Sequence, residues 1–88
     1  MALYKQGSAD AQIKIGGGKL YGVFISSTSS GTFALYDSAV ASTSDPKIVN
    51  TVTVTAGTQY VSFPAGLWFS NGLYIDVANT IEYTVAYE

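Results

Sequence analysis

The sequence predicts an all-β fold, a single antiparallel β-sandwich of jelly-roll or immunoglobulin-like type. Three observations predict it. Apolar and polar residues alternate with a period of two in several short segments, turn-forming residues recur about every 8–12 residues, and no segment carries a convincing helical period. Hydrophobic residues make up 48% of the 88 residues, so we expect a packed core in one domain spanning residues 1–88.

The alternation predicts about eight short strands and no substantial helix. The clearest lies near the end of the chain, where Ile81, Tyr83 and Val85 alternate with polar or small residues. The predicted strands cover residues 11–15, 19–26, 32–37, 48–55, 58–63, 67–69, 73–77 and 80–87.

The first nine residues precede the first clear strand. Leu3 and Tyr4 are two large apolar side chains ahead of Gly7. Residues 1–9 are therefore either a frayed end or short edge strand, or an N-terminal arm that docks these two side chains on a neighbour.

Glycine-containing segments divide the predicted strands. Asn71-Gly72 predicts a two-residue β-hairpin with a type I′ turn, because both central residues of that turn need a positive φ. The three glycines at 16–18 precede a strand instead of a helix, so they predict a flexible hairpin connection and not a phosphate loop. Gly22, inside a predicted strand, indicates a bulge or a close backbone approach.

Polar segments supply the longer connections. Residues 26–30 read Ser-Ser-Thr-Ser-Ser and predict a loop, and residues 38–47 form the longest connection, with a turn at Asp45-Pro46.

Asp37 and Asp76 are acids at the end of or inside predicted strands, and we interpret both as solvent-facing. For the core we expect the aromatic residues Phe24, Phe33, Phe63 and Tyr83.

Composition argues against several classes of function. The chain has no histidine and no cysteine, so the usual general base, thiol nucleophile, disulfide and structural metal site are missing, and we expect no catalytic activity and no cofactor. The net charge is −2 with four scattered lysines and no arginine, which is unlike a nucleic-acid-binding surface. No apolar run approaches the roughly 20 residues of a membrane helix, and no signal peptide is visible.

The most informative feature of the composition is its content of aromatic residues. Seven tyrosines, four phenylalanines and one tryptophan make up 14% of the chain, which is high for a small acidic domain. Either these side chains only complete both faces of the sandwich, or some of them form a contact surface. Tyrosine and tryptophan with one wet edge are favoured at protein interfaces and also serve as sugar-binding platforms. A small domain without disulfides or metal commonly gains stability by oligomerising. The residues that we predict to contact a partner are Leu3, Tyr4, Tyr21, Trp68 and Tyr74.

From about residue 19 to residue 87 the chain resembles small all-β virion proteins of tailed bacteriophages. The segments that carry the resemblance are Gly18-Lys19-Leu20-Tyr21-Gly22-Val23, Gly31-Thr32-Phe33-Ala34-Leu35-Tyr36-Asp37, Ala56-Gly57-Thr58, Phe63-Pro64-Ala65-Gly66-Leu67-Trp68-Phe69, Asn71-Gly72-Leu73-Tyr74-Ile75 and Thr84-Val85-Ala86-Tyr87. They consist of strand and turn residues and contain no chemical site.

The resemblance implies a capsid decoration (cement) protein that stabilises a phage head by bridging capsid subunits. Its partners would be the major capsid protein and further copies of itself, with a homotrimer favoured, and no nucleic acid or membrane. It would be made in the host cytoplasm and end on the capsid surface. Two alternatives stay open: a carbohydrate- or receptor-binding β-module in which Trp68 and Tyr74 stack on sugar rings, and a structural protein of the virion neck or tail.

Overall fold

The computed structural model describes residues 3–40, 44, 46–54 and 59–88, and at 27–30 and 59 the backbone only. Within these ranges the chain forms six strands. Their bounds are β1 Leu3–Gly7, β2 Ala11–Ile15, β3 Gly18–Tyr36, β4 Lys47–Thr53, β5 Gln59–Phe69 and β6 Gly72–Tyr87. The predicted turn at Asp45-Pro46 and the predicted N-terminal arm lie partly outside the described residues.

Two long strands, β3 and β6, form the centre of a single antiparallel sheet. They pair from Leu20 opposite Tyr87 to Tyr36 opposite Tyr74. Strands β1 and β2 lie end to end along the far side of β6, and β5 and β4 lie end to end along the far side of β3. The sheet curls into a half-barrel.

Both central strands bend near their middles. The β3–β6 register shifts between Ile25 and Ser27 and again between Ser29 and Thr32, and Asn79 of β6 has a φ of 62°, in the left-handed region. The bends divide the sheet into two parts. We call β1, β5 and the adjoining ends of β3 and β6 the first half-sheet, and β2, β4 and the other ends the second half-sheet.

The core lies on the concave side, and both half-sheets contribute to it. Its fully buried members are Leu20, Val23, Ile25, Phe33, Leu35, Val54, Phe69, Leu73, Ile75, Ile81, Tyr83 and Val85. The predicted core residues Phe33 and Tyr83 are confirmed, and Phe63 packs against this cluster while partly exposed.

Phe24 is not in the core, and that prediction was wrong. A register irregularity lies between Leu20 and Gly22, which confirms the bulge predicted at Gly22. Because an extra residue inverts the alternation, Val23 and Ile25 point inward after the bulge and Phe24 points outward, 39% exposed.

The expected all-β, antiparallel class is confirmed, and the described residues contain no helix. The number of strands differs from the prediction because neighbouring predicted strands are joined. The Ser/Thr-rich segment at 26–30, predicted as a loop, continues the extended backbone of β3 and pairs with β6. Serine and threonine can adopt an extended backbone, so this polar segment marks a bend within β3 and not the end of the strand.

The Asn71-Gly72 connection is not a β-hairpin, which corrects a second prediction. Across the described ranges no backbone pairing joins β5 to β6, and neither Asn71 nor Gly72 has a positive φ. Glycine is needed at 72 for another reason: a Cβ there would lie 2.5 Å from the carbonyl oxygen of Ser38 and 2.7 Å from that of Lys14. The connection is a corner that carries the chain from the first half-sheet to the second. The glycines at 16–18 join β2 to β3, which also do not pair among the described strands, so the hairpin predicted there was wrong too.

Candidate functional site

Exposed aromatic side chains gather on the outer side of the first half-sheet. Tyr4 is 75% exposed, Trp68 74% and Tyr60 56%, and Phe24 joins them. Phe24, Tyr60 and Trp68 alternate along their strands with residues that point toward the core, so they point away from it. Tyr4 lies opposite Ala86, which alternates with the buried Val85, so Tyr4 points to the same outer side. With the half-buried Tyr21 of β3 they form what we call the aromatic face: Tyr4, Tyr21, Phe24, Tyr60 and Trp68.

Small residues form the floor between these rings. Gly22 lies opposite Ala86 of β6, and Ala86 lies opposite Tyr4 of β1. The ring of Tyr60 leans over Gly22, since a Cβ at Gly22 would come 2.8 Å from the Tyr60 hydroxyl. The Tyr60 and Phe24 ring centroids are 6.3 Å apart in a tilted pair, within the range of favourable aromatic contacts.

Two polar contacts fix the other end of the aromatic face. The Lys19 Nζ lies 5.7 Å from the centroid of Trp68, a cation–π distance. The Tyr21 hydroxyl donates to Glu88 Oε1 at 3.0 Å, and Glu88 is itself anchored because its backbone N–H donates to the Lys19 carbonyl at 2.8 Å. The hydrogen bond to Glu88, with smaller contributions from burial and from the charge of Glu88, raises the pKa of Tyr21. Tyr21 therefore stays neutral and oriented across the physiological range.

The edge beside the aromatic face is irregular. Gly22 pairs with Ser62, and Leu20 pairs with Leu67. Between these two pairs, the four residues 63–66 of β5 lie opposite the single residue Tyr21 of β3. Gly66 has a φ of 79°, and a Cβ there would come 3.2 Å from the Tyr21 ring. Bulges and a proline, here Pro64, are features that disfavour the addition of another strand at a sheet edge.

The five predicted contact residues fall in different places. Tyr4, Tyr21 and Trp68 lie together on the aromatic face. Leu3 is half exposed on the opposite side of β1, at the rim of the sheet. Tyr74 is only 7% exposed and packs beside Tyr36 on the second half-sheet, with ring centroids 6.3 Å apart, so it does not share a surface with Trp68.

Sequence reasoning left out two members of the aromatic face. Tyr60 could have been included, because its alternation with Val61 and Phe63 already placed it opposite the core side chains. Phe24 could have been included only by following the inversion of the alternation that the Gly22 bulge produces.

Asp37 and Asp76, which we interpreted as solvent-facing, are both half-buried in the structure. Asp37 accepts backbone N–H groups from Ser70 at 3.1 Å, Asn71 at 2.7 Å and Gly72 at 3.3 Å. Burial by itself raises the pKa of Asp37, but the three donated hydrogen bonds outweigh it and hold that pKa below its usual range. Burial, followed by the charge of Asp10, raises the pKa of Asp76.

The described residues offer little for other kinds of site. They form no pocket and no cluster of three or more metal-ligating side chains. None of the described segments is a helix long and apolar enough to cross a membrane. No family model, curated protein or solved structure matches the chain.

Proposed function

We propose that this chain is a structural, adhesive protein of a tailed-phage virion, a capsid decoration (cement) protein that uses the aromatic face for contact. Copies associate through this face, as trimers, and together bridge neighbouring subunits of the major capsid protein. The observation that carries the proposal is four exposed aromatic side chains on one side of a continuous sheet. The proposed role includes no catalysis, no cofactor, and no nucleic-acid or membrane partner.

The size of the aromatic face supports an interface. At about 200 Å² per aromatic side chain, the four exposed rings present roughly 500 Å² to solvent. One partner in a standard interface contributes about 800 Å², so these rings would supply more than half of it. The largest apolar patch on a monomeric protein is commonly about 300–600 Å² and is often functional, which is consistent with a binding role for these rings.

The geometry favours contact through the aromatic face over contact through the edge strand β5. The bulge at 63–66, with Pro64 and Gly66, interrupts the regular hydrogen-bonding pattern along the edge strand β5. The aromatic face is held by the paired strands β3 and β6, with Tyr21 tied to Glu88. Aromatic anchors with few freely rotating bonds lose little conformational entropy on binding.

We also propose that the fold is a β-sandwich. A jelly-roll or immunoglobulin-like sandwich would place the two half-sheets over a shared core. The larger of the two buried clusters contains residues from both half-sheets, which supports that arrangement.

A carbohydrate- or receptor-binding module is the second candidate, and the exposed Trp68 ring favours it. Tyr74 is nearly buried, so it could not provide the second stacking platform, and the exposed Tyr60 would have to do so. Glycan-array binding that is lost in Trp68→Ala, with particle stability unchanged, would support this candidate. A structural role in the neck or tail is the third candidate and differs only in location.

The oligomeric state and the binding of purified shells test the proposal together. We expect a trimer by light scattering, and saturable binding to shells that lack the protein. A Tyr60→Ser/Trp68→Ser double variant should be monomeric and lose shell binding at least tenfold. Val40→Ser is the matched control, because Val40 is 63% exposed and lies outside the aromatic face. A monomeric wild-type mass at about 100 µM together with no binding to shells would rule the proposal out.

A further inference from the structure

Asn71 and Gly72, which do not form the predicted hairpin, are also a chemically reactive pair. An asparagine side chain can be attacked by the backbone nitrogen of the next residue, and glycine hinders this attack least because it carries no Cβ. Asn71 is exposed, so water reaches its side-chain amide, whereas Gly72 is buried. The pair therefore has the sequence and the access to water that spontaneous deamidation needs.

Deamidation at this pair requires no reactant other than water. The Gly72 nitrogen loses its proton to solvent and forms a bond to the side-chain carbon Cγ of Asn71. The bond from Cγ to the side-chain nitrogen breaks, and that nitrogen takes up a proton and leaves as ammonia. Water then opens the resulting succinimide ring, which leaves either aspartate or isoaspartate at position 71.

A carboxylate beside the attacking nitrogen opposes this reaction. The Gly72 N–H donates to Asp37 Oδ1 at 3.3 Å, and the same oxygen accepts the Asn71 N–H at 2.7 Å. Because a carboxylate disfavours a second negative charge next to it, Asp37 resists removal of the proton from the Gly72 nitrogen. The Ser70 N–H donates to Asp37 Oδ2 at 3.1 Å, so three consecutive backbone nitrogens are fixed to one carboxylate.

Close packing limits the backbone rotation that ring closure requires. A Cβ at Gly72 would lie 2.5 Å from the carbonyl oxygen of Ser38 and 2.7 Å from that of Lys14, so this side of the corner is filled. The Asn71 carbonyl oxygen accepts the Gly16 N–H at 2.8 Å. Both peptide groups that flank Asn71 are therefore held, and the Gly72 nitrogen cannot turn toward the Asn71 side chain while the corner is closed.

We propose that Asn71 is a latent deamidation site, which the Asp37 carboxylate keeps unreactive while the corner at residues 70–72 is closed. Opening of the corner releases the Gly72 nitrogen, and the loss of ammonia that follows is irreversible. The product places a new carboxylate beside Asp37, and isoaspartate also lengthens the backbone by one carbon, so the corner no longer closes as before. The modification acts on the passage from β5 to β6 whatever the aromatic face binds.

Incubation at pH 8.5 and 37 °C tests the site, with peptide mapping by mass spectrometry to measure aspartate and isoaspartate at position 71. We expect wild type to react at least tenfold more slowly in buffer than in concentrated urea, where the corner is open. Asp37→Ala, while still folded by circular dichroism, should react at least fivefold faster than wild type in buffer. Asn50 is the internal reference, because it is exposed and the Thr51 N–H donates to its Oδ1 at 2.8 Å. Its rate should be equal in the two folded proteins.

Val85→Ala is the matched control for a general loss of stability. Val85 is buried in the first half-sheet, so the substitution destabilises the fold without touching the corner, and its Asn71 rate should stay within twofold of wild type. Asp37→Ser keeps an uncharged acceptor, should react at an intermediate rate, and replaces Asp37→Ala if that variant does not fold. Equal wild-type rates in buffer and urea, a folded Asp37 variant that reacts no faster than wild type, or equal acceleration by Val85→Ala would overturn the proposal.

Discussion

Two corners carry the chain from the first half-sheet to the second, and each is held by an aspartate. At residues 70–72, the carboxylate of Asp37 accepts three backbone N–H groups. At residues 8–10, Asp10 accepts one N–H group, from Val77. The same residue type at similar turns therefore secures the chain to a different degree, because Asp37 accepts three backbone N–H groups and Asp10 accepts one.

Asp37 and Asp76 should give opposite pH dependences of stability. The lowered pKa of Asp37 means that its contribution to stability is present above the ordinary aspartate pKa and is lost as the pH falls through the lowered value. The raised pKa of Asp76 gives the reverse dependence.

The largest expected effect comes from breaking the 70–72 corner sterically. In Gly72→Ala the new Cβ would meet the backbone carbonyl oxygens of Ser38 and Lys14, which cannot move aside as a flexible side chain would. We expect a loss of about 3 kcal/mol in the free energy of unfolding, measured with urea. Asn71→Ala is the control, since Asn71 is exposed, and should change stability by less than about 0.5 kcal/mol. A Gly72→Ala protein as stable as wild type would show that this corner is not tightly packed.

Removing the Asp37 carboxylate should have the next largest effect. Asp37→Ala leaves three backbone N–H groups without their acceptor, and we expect a loss of about 2 kcal/mol at pH 7. Asp37→Asn keeps one oxygen as an acceptor and should lose about half as much. The stability of both variants should also fall less than that of wild type between pH 5 and pH 3. An Asp37→Ala variant whose acid profile matches that of wild type would contradict the assigned role.

The smallest effect is expected at Gly16, which donates a hydrogen bond to the 70–72 corner. The Gly16 N–H donates to the Asn71 carbonyl at 2.8 Å, and Gly16 has a φ of 100° with no described atom within 4 Å of an added Cβ. Gly16→Ala should therefore cost only about 1 kcal/mol, from backbone strain and not from a clash. Gly16→Asn, which tolerates a positive φ better, should cost less in the same urea titration. Equal losses for Gly16→Ala and Gly72→Ala would mean that the distinction between strain and close packing is wrong.

Local patterns in the sequence predicted local structure well. Period-two alternation placed Tyr83 and Val85 in the core, and Gly22 indicated the bulge. The prediction failed where long-range pairing decides the outcome. Asn71-Gly72 favours a hairpin locally, but the paired strands are β3 and β6, and the acceptor for the turn is Asp37, more than 30 residues away in sequence.

The candidate site was predicted in part for the same reason. Tyr4, Tyr21 and Trp68 were singled out as aromatic residues with one polar edge, and they do share a surface. Tyr74 has the same character, but neighbouring elements cover it in the folded chain. Burial of that kind depends on which segments cross over a strand, and alternation along the strand carries no information about that.

A density map of the intact particle tests the central proposal most directly. We expect copies of this chain on the outer surface of the head, in threefold clusters, with Trp68 and Tyr60 buried against a neighbouring copy. Density in the neck or tail would move the protein to another part of the virion. Its absence from the particle, or an aromatic face left open to solvent on the shell, would contradict the proposed function.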